Sequence, residues 1–157
     1  MKIVFLDMDG VLVHHRCKHR MSESFITDGD LSCVERLKRI LRETGAKIVL
    51  HSTWAYVDSR DYLLDWFQQY GIYEKDFAPD WICTSTDKSK RDKPEAIDTW
   101  LKNHRDIDKY IILEDEQLYG LTDPRRGKVI LIVSGWIRGG IQDVHADAAI
   151  KCLTYRP

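Results

Sequence analysis

The sequence contains no apolar run long enough to cross a membrane, and no internal repeat, low-complexity segment or linker. Acidic residues interrupt its first apolar run before it reaches the length of a signal peptide, so we expect a cytoplasmic protein. Cysteine is scarce and forms no C-x-x-C pair, which disfavours a disulfide framework; the four expected free thiols are Cys17, Cys33, Cys83 and Cys152. The net charge of −1 provides no global attraction for a polyanion, so any binding of nucleic acid must come from local clusters.

What the sequence does contain is an alternation of short apolar runs and amphipathic segments over 157 residues. The apolar runs predict strands at 3–6, 46–50, 81–84, 110–113 and 129–133. The amphipathic segments predict helices from Ser32, whose capping-box partner is Glu35, to Gly45, then over 58–70, from Pro94 onwards and over 141–153. Such alternation predicts one α/β domain spanning residues 1–157, with a mainly parallel sheet covered on both faces.

Two aspartates directly follow the first predicted strand, in the stretch MKIVFLDMDGVLV. Aspartate is a poor strand former and an unpaired carboxylate is costly to bury, so we expect Asp7 and Asp9 on the loop that leaves the strand. Open α/β sheets bind their ligands at this edge. An Asp-Gly turn would account for Asp9 and Gly10, but it gives Asp7 no role.

Polar side chains also follow two other predicted strands, namely His51, Ser52 and Thr53 after the second and Glu114, Asp115 and Glu116 after the fourth. Lys93 precedes the helix predicted at Pro94, at the positive end of the helix dipole. Because the carboxyl ends of parallel strands meet at one edge, we expect these groups to converge. Oxygen ligands for a hard cation, together with donors for phosphoryl oxygens, suit a magnesium-bound phosphate.

These stretches resemble the four motifs of the haloacid dehalogenase superfamily, in the right order from residue 3 to residue 116. FLDMDGVLV is similar to the first motif, IVLHST to the second, Lys93 to the basic third and IILEDE to the acidic fourth. HSTW, KPEAIDTWL and YIILEDE are further similar to a small capless branch associated with RNA-repair proteins. The chain departs from that branch at Ala55, where arginine is usual, and at Glu114, where aspartate is usual. The resemblance implies a Rossmann-like three-layer sandwich without a cap domain.

The resemblance also implies a role for each matching residue. Asp7 would be the nucleophile that forms an aspartyl-phosphate, and Asp9 the general acid and then the general base. Ser52 would bind the phosphoryl oxygens, and Lys93 would neutralise the developing charge. Mg²⁺ would be held by the Asp7 side chain, the Asp9 backbone carbonyl and Asp115, with Glu114 and Glu116 as supporting candidates.

Several of these assignments have competitors among neighbouring residues. Thr53 competes with Ser52, because predicted strand ends are uncertain by about two residues. Three other basic residues compete with Lys93, which is favoured by its place at the predicted helix start: Lys88, Lys90 and Arg91. Trp54 could stack on a base of the substrate, although a core position is expected for it, as for Trp66 and Trp100.

The basic stretch HHRCKHR, residues 14–20, lies within segment 11–30, where the superfamily has a mobile flap. Arg16 and its neighbours could bind the backbone phosphates of an oligonucleotide, or the stretch could be a solvated loop. The histidines lack the acidic or cysteine companions of a zinc site; they are His14, His15 and His19. Further candidate phosphate contacts are Arg125, Arg126 and Arg138.

No segment after the first motif, or between the second and third, is long enough for an independent cap, which needs about 50 residues. An open cleft admits a bulky substrate, so we expect a polynucleotide 3′-phosphatase acting on an RNA or DNA end. One alternative is a phosphatase of nucleotides or other small phosphometabolites. Another is a non-catalytic nucleic-acid-binding or scaffold protein, which the Asp7–Asp9 pair disfavours. The sequence has no G-x-x-x-x-G-K-[ST] loop, so any kinase step would need a separate protein, and a separate kinase or ligase is a candidate partner.

Overall fold

The computed structural model of the protein describes residues 1–17, 19–21, 25–118, 120–121, 127–132 and 135–155. The strands of its main sheet are β1 (Lys2–Leu6), β4 (Lys47–Leu50), β5 (Phe77–Ile82), β6 (Lys109–Glu114) and β7 (Gly127–Leu131). All five are parallel, in the order β5-β4-β1-β6-β7, which confirms the predicted parallel α/β sheet. A separate antiparallel hairpin of β2 (His19–Met21) and β3 (Phe25–Thr27), which the sequence did not predict, lies within segment 11–30.

The helices cover both faces of this sheet. They are α1 (Leu31–Thr44), α2 (Trp54–Val57), α3 (Arg60–Gln68), α4 (Lys93–Asn103), α5 (Gly135–Arg138) and α6 (Asp143–Thr154), and a 3₁₀ turn spans Glu74–Asp76. Alternate residues of β1 belong to two separate cores: Val4 and Leu6 pack with α1, α3 and α6, whereas Ile3 and Phe5 pack with α4. This alternation produces the three layers of a Rossmann-like sandwich. No helix of the described residues is long and apolar enough to cross a membrane.

Several helix boundaries differ from the predictions. Asp30, not Ser32, caps α1, because its Oδ1 accepts a hydrogen bond from Cys33 N at 3.0 Å. The helix predicted over 58–70 is α3, which begins at Arg60 because the chain is extended at Asp58 and Ser59. The short helix α2, which precedes this extended pair, was not predicted. The last helix begins two residues later than predicted, and Lys93 is the first residue of α4 rather than the residue before it.

Strand boundaries were predicted more closely. The third predicted strand, 81–84, overlaps only the last two residues of β5, which begins at Phe77 and ends at Ile82. The fifth ends at Leu131, and residue 133 of its predicted range lies outside the described residues. Trp66 and Trp100 lie in the core as predicted, with 3% and 6% of their surface exposed.

Candidate active site

Asp7 lies where β1 leaves the sheet, at the carboxyl edge. Its backbone N–H still donates to Leu113 O of β6, at 3.1 Å, so the strand ladder fixes its position. Its side chain is only 4% exposed. Oδ1 accepts a hydrogen bond from Met8 N at 2.8 Å, and Oδ2 accepts one from Lys93 Nζ at 2.9 Å. The carboxylate is therefore held by a backbone donor on one oxygen and a cation on the other.

Lys93 joins the end of β1 to the end of β6. Its ammonium group donates to Asp7 Oδ2 and also to Glu114 Oε2, both at 2.9 Å. Glu114 is fully buried, and its Oε1 accepts from the backbone N–H groups of Asp115 and Glu116 at 3.1 and 3.2 Å. The sequence predicted that these groups would converge, but it did not show that Glu114 would share Lys93 with Asp7.

Two buried carboxyl groups that lie this close together repel each other when both are charged, which drives their pKa values apart. Burial and the nearby charge of Asp7 raise the pKa of Glu114 to about 8. Burial would also raise the pKa of Asp7, but the charge of Lys93 and the hydrogen bonds from Lys93 and Glu114 help to hold it below its ordinary value. The pKa of Lys93 is raised, because its two anionic partners outweigh its burial. Asp7 is thus the carboxylate that stays ionised at neutral pH.

Three carboxylates at this edge fit a divalent cation. Asp7, Glu114 and Asp115 each offer an oxygen, and these atoms all lie within 4.8 Å of one another. Gly10 makes room for Asp115, since a Cβ atom at position 10 would lie 2.0 Å from Asp115 Oδ2 and the backbone there has φ +75°. An all-oxygen donor set suits Mg²⁺, so the residues present fit the predicted ion.

Asp9, the predicted general acid, follows Asp7 on the same loop and lines the cleft above it. Trp54 Nε1 donates to its Oδ2 at 3.1 Å. The indole of Trp54 packs edge-on against Trp66, with ring centroids 5.6 Å apart. Trp54 therefore orients the Asp9 carboxyl group from the core side, a contact that sequence reasoning did not identify.

The two hydroxyl candidates occupy different places. Ser52 is completely buried, and its Oγ accepts from Trp54 N at 3.4 Å. Thr53 lines the cleft together with Asp7 and Lys93. The choice between them as the phosphate-binding hydroxyl stays a prediction, and the cleft wall favours Thr53.

The predicted substrate-binding arginines are also separated. Arg91 lines the cleft with a left-handed backbone, φ 49°, and its guanidinium lies 6.0 Å from the ring centroid of Tyr56. Arg16 lines a different cavity, with Arg138 on its wall. Arg125 and Arg126 lie outside the described residues.

The cleft has a volume of about 750 Å³, and two residues to which the sequence assigned no role lie in it or beneath it. Trp136 of the short helix α5 lines it, although no motif pointed to this residue. His51 lies beneath the site, 1% exposed, with Nδ1 3.7 Å from Glu114 Oε2. Its place in the stretch HST, directly after a buried strand, was the only signal in the sequence.

Residues 3–135 of the chain match a family model described as "HAD domain in Swiss Army Knife RNA repair proteins". The chain belongs to this family. Membership confirms the resemblance that the ordered motifs indicated, and it supports a hydrolase function of the phosphatase type, in a family that generally uses Mg²⁺. No curated protein and no solved structure was found to match the chain significantly.

Proposed function

We propose that the protein is a Mg²⁺-dependent phosphomonoester hydrolase that acts through an aspartyl-phosphate on Asp7. The observation that carries this proposal is the pairing of Lys93 with Asp7 and Glu114 at the carboxyl edge of the sheet. The pairing keeps one carboxylate ionised and nearly dehydrated beside a cation, facing an open cleft. A scaffold protein has no use for this costly arrangement, because buried ion pairs stabilise a fold poorly.

In the proposed reaction, a carboxylate oxygen of Asp7 attacks phosphorus and the bond from phosphorus to the ester oxygen breaks. Asp9 gives its proton to the leaving oxygen. Asp9 then takes a proton from a water molecule, which attacks the acyl phosphate, and inorganic phosphate leaves while Asp7 is regenerated. Lys93 places positive charge beside Asp7, and Trp54 keeps the Asp9 carboxyl group oriented. Mg²⁺ held by Asp7 and Asp115, with Glu114 beside them, would neutralise charge on the phosphoryl group.

For the substrate, we propose a phosphorylated nucleic-acid end. The cleft is open, and among the residues that the structure describes its lining includes the cationic side chain of Arg91 and the aromatic side chain of Trp136 beyond the catalytic groups. A guanidinium binds phosphate and an indole can stack on a base, so the pair suits a nucleotide chain. Membership in a family of RNA-repair domains supports the same substrate class.

Phosphate release with and without Mg²⁺ tests this function. The substrates are RNA and DNA oligonucleotides with a 3′-phosphate and the matching 3′-mononucleotides. We expect kcat/KM to be at least about tenfold higher for an oligonucleotide, and Asp7→Asn to lower it by about 1,000-fold or more. Asp61→Asn is the matched control, because it neutralises an aspartate on α3 whose side chain is 94% exposed.

The outcomes separate the chemistry from the substrate. Preference for a mononucleotide, lost in Asp7→Asn, would contradict the nucleic-acid substrate and support a phosphatase of small metabolites. Turnover that survives Asp7→Asn would contradict the aspartyl-phosphate. Binding of oligonucleotides without turnover would support the non-catalytic alternative.

A further inference from the structure

A second group of metal-ligating side chains lies between the segment that follows β1 and the start of α1. His14, Asp30 and Cys33 each offer one ligand atom, and these three atoms lie within 4.8 Å of one another. His14 is 4% exposed and Cys33 is completely buried. His14 and Asp30 line a cavity of about 750 Å³, whose lining residues differ from those of the active-site cleft, and Cys33 lies behind them. We propose that His14, Asp30 and Cys33 bind one zinc ion.

The local fold explains how these three residues meet. Asp30 caps α1, so its Oδ1 accepts from Cys33 N at 3.0 Å, while its Oδ2 lies 3.2 Å from His14 Nε2. Asp30 N donates to Leu12 O at 2.8 Å, which fixes the end of the segment against the residues just before His14. The fold thus supplies the acidic and cysteine companions that the histidines lack in the sequence.

The donor set favours zinc over magnesium or calcium. One imidazole nitrogen, one carboxylate oxygen and one sulfur are ligands that Zn²⁺ accepts together, whereas Mg²⁺ and Ca²⁺ require oxygen. Zinc ligands stand about 2.0–2.3 Å from the ion, so the three atoms need only a small contraction to reach tetrahedral spacing. The cavity leaves the fourth position accessible to water or to Cys17, which lines the same wall.

Zinc binding would replace contacts that the ligands make in the metal-free protein, including the 3.2 Å contact between His14 Nε2 and Asp30 Oδ2. The Cys33 thiol, which donates to Gly139 O at 3.3 Å, would lose its proton. His14 would coordinate through Nε2 and carry its ring proton on Nδ1, giving up the 3.3 Å hydrogen bond from Arg16 N. The hydrogen bond from Arg16 N is at the long end of its range, so its loss costs little. The Cys33 thiol also has Ile141 O as an acceptor at 3.7 Å, and its bond to zinc would replace both of these weak thiol contacts. The ion would tie residue 14 to the first turn of α1.

The test measures Co²⁺ and Zn²⁺ binding to the metal-free full chain in saturating Mg²⁺, which occupies carboxylate sites. We expect one Co²⁺ per chain to give a near-ultraviolet charge-transfer band that requires a thiolate ligand, and one Zn²⁺ to abolish it by displacement. In Cys33→Ser, we expect the band to disappear. Zinc affinity should fall by more than the roughly 10- to 100-fold that is typical when a residue supporting a ligand, rather than the ligand itself, is replaced. Cys83→Ser is the matched control, because Cys83 is also buried but lies in the core beside α4.

Asp30→Asn keeps the test independent of folding defects. Asparagine caps a helix about as well as aspartate, so α1 should remain intact while the anionic ligand is lost. We expect this variant to retain its melting temperature without metal and to bind zinc at least about tenfold more weakly. Absence of the band in the wild type, its survival in Cys33→Ser, or unchanged zinc affinity in Asp30→Asn would each overturn the proposal. None of these measurements depends on phosphatase activity.

Discussion

Replacing Lys93 with methionine should destabilise the protein strongly, and by an amount that depends on pH. The ammonium group is the shared cation of Asp7 and Glu114, whose side chains are 4% and 0% exposed. Removing one partner of a buried ion pair costs about 3–5 kcal/mol, because it leaves charge buried without compensation. For a chain of this size, that loss lowers the melting temperature by about 10 °C. The free energy of unfolding is measured by urea titration in EDTA.

The pH dependence distinguishes lost charge pairing from lost packing. Without Lys93, both carboxyl groups have pKa values in the folded state above those of the unfolded chain. Their protonated forms then favour folding at low pH, and this stability is lost as the pH rises through the folded pKa values. The difference between wild type and Lys93→Met should therefore be larger at pH 8 than at pH 5.

Lys90→Met is the control, because the Lys90 side chain is 74% exposed and forms a surface ion pair, with Nζ 3.7 Å from Asp87 Oδ2. It should change the free energy of unfolding by about 0.5 kcal/mol or less. A loss below about 1 kcal/mol for Lys93→Met, or an equal loss at both pH values, would refute the charge-pairing argument.

Three further variants test single contacts. Burial lowers the pKa of His51 from 6.5 to about 4, so the neutral ring favours folding above pH 6.5. About 3 kcal/mol of the free energy of unfolding should therefore be lost as the pH falls from 6.5 to 4, as measured by urea titration. An equal loss over this pH range in His51→Leu would contradict the argument. Both Gly10 and Gly45 have positive φ, but a Cβ atom at Gly10 would overlap Asp115, whereas no described atom lies within 4 Å of a Cβ at Gly45. Gly10→Ala should therefore lower the free energy of unfolding by at least about 2 kcal/mol more than Gly45→Ala. Trp54→Phe removes the hydrogen bond to Asp9, so it should lower kcat about tenfold and the free energy of unfolding by about 1 kcal/mol. Trp81→Phe is the control and should leave kcat unchanged, because Trp81 Nε1 has no hydrogen-bond partner in the described structure.

The sequence predicted the parallel sheet and its carboxyl edge because both depend on local patterns. Three short apolar runs end in polar residues of restricted types, and parallel strands must bring those ends together. These patterns are enough to place Asp7, Lys93 and Asp115 near one another from the sequence alone. The sequence also predicted that α1 ends at Gly45, which caps the helix with a left-handed backbone, φ 68°.

Features that depend on contacts between distant residues could not be predicted in this way. Asp30 rather than Ser32 caps α1, because Asp30 also forms hydrogen bonds with Leu12 O and with the His14 ring. The hydrogen bond from Trp54 to Asp9 spans 45 residues, and nothing in either local pattern indicates it. The place of Trp136 in the cleft depends on how α5 follows β7, a connection that no motif marks.

The most direct test of the central claim is to trap the phosphoryl group on Asp7. The enzyme is mixed with excess 3′-phosphorylated oligonucleotide and Mg²⁺, quenched in acid within one turnover and digested for mass spectrometry. The account predicts one base-labile phosphoryl group on the peptide that contains Asp7, accumulating further in Asp9→Asn and absent in Asp7→Asn. Turnover without any such adduct, or an adduct on another residue, would contradict it.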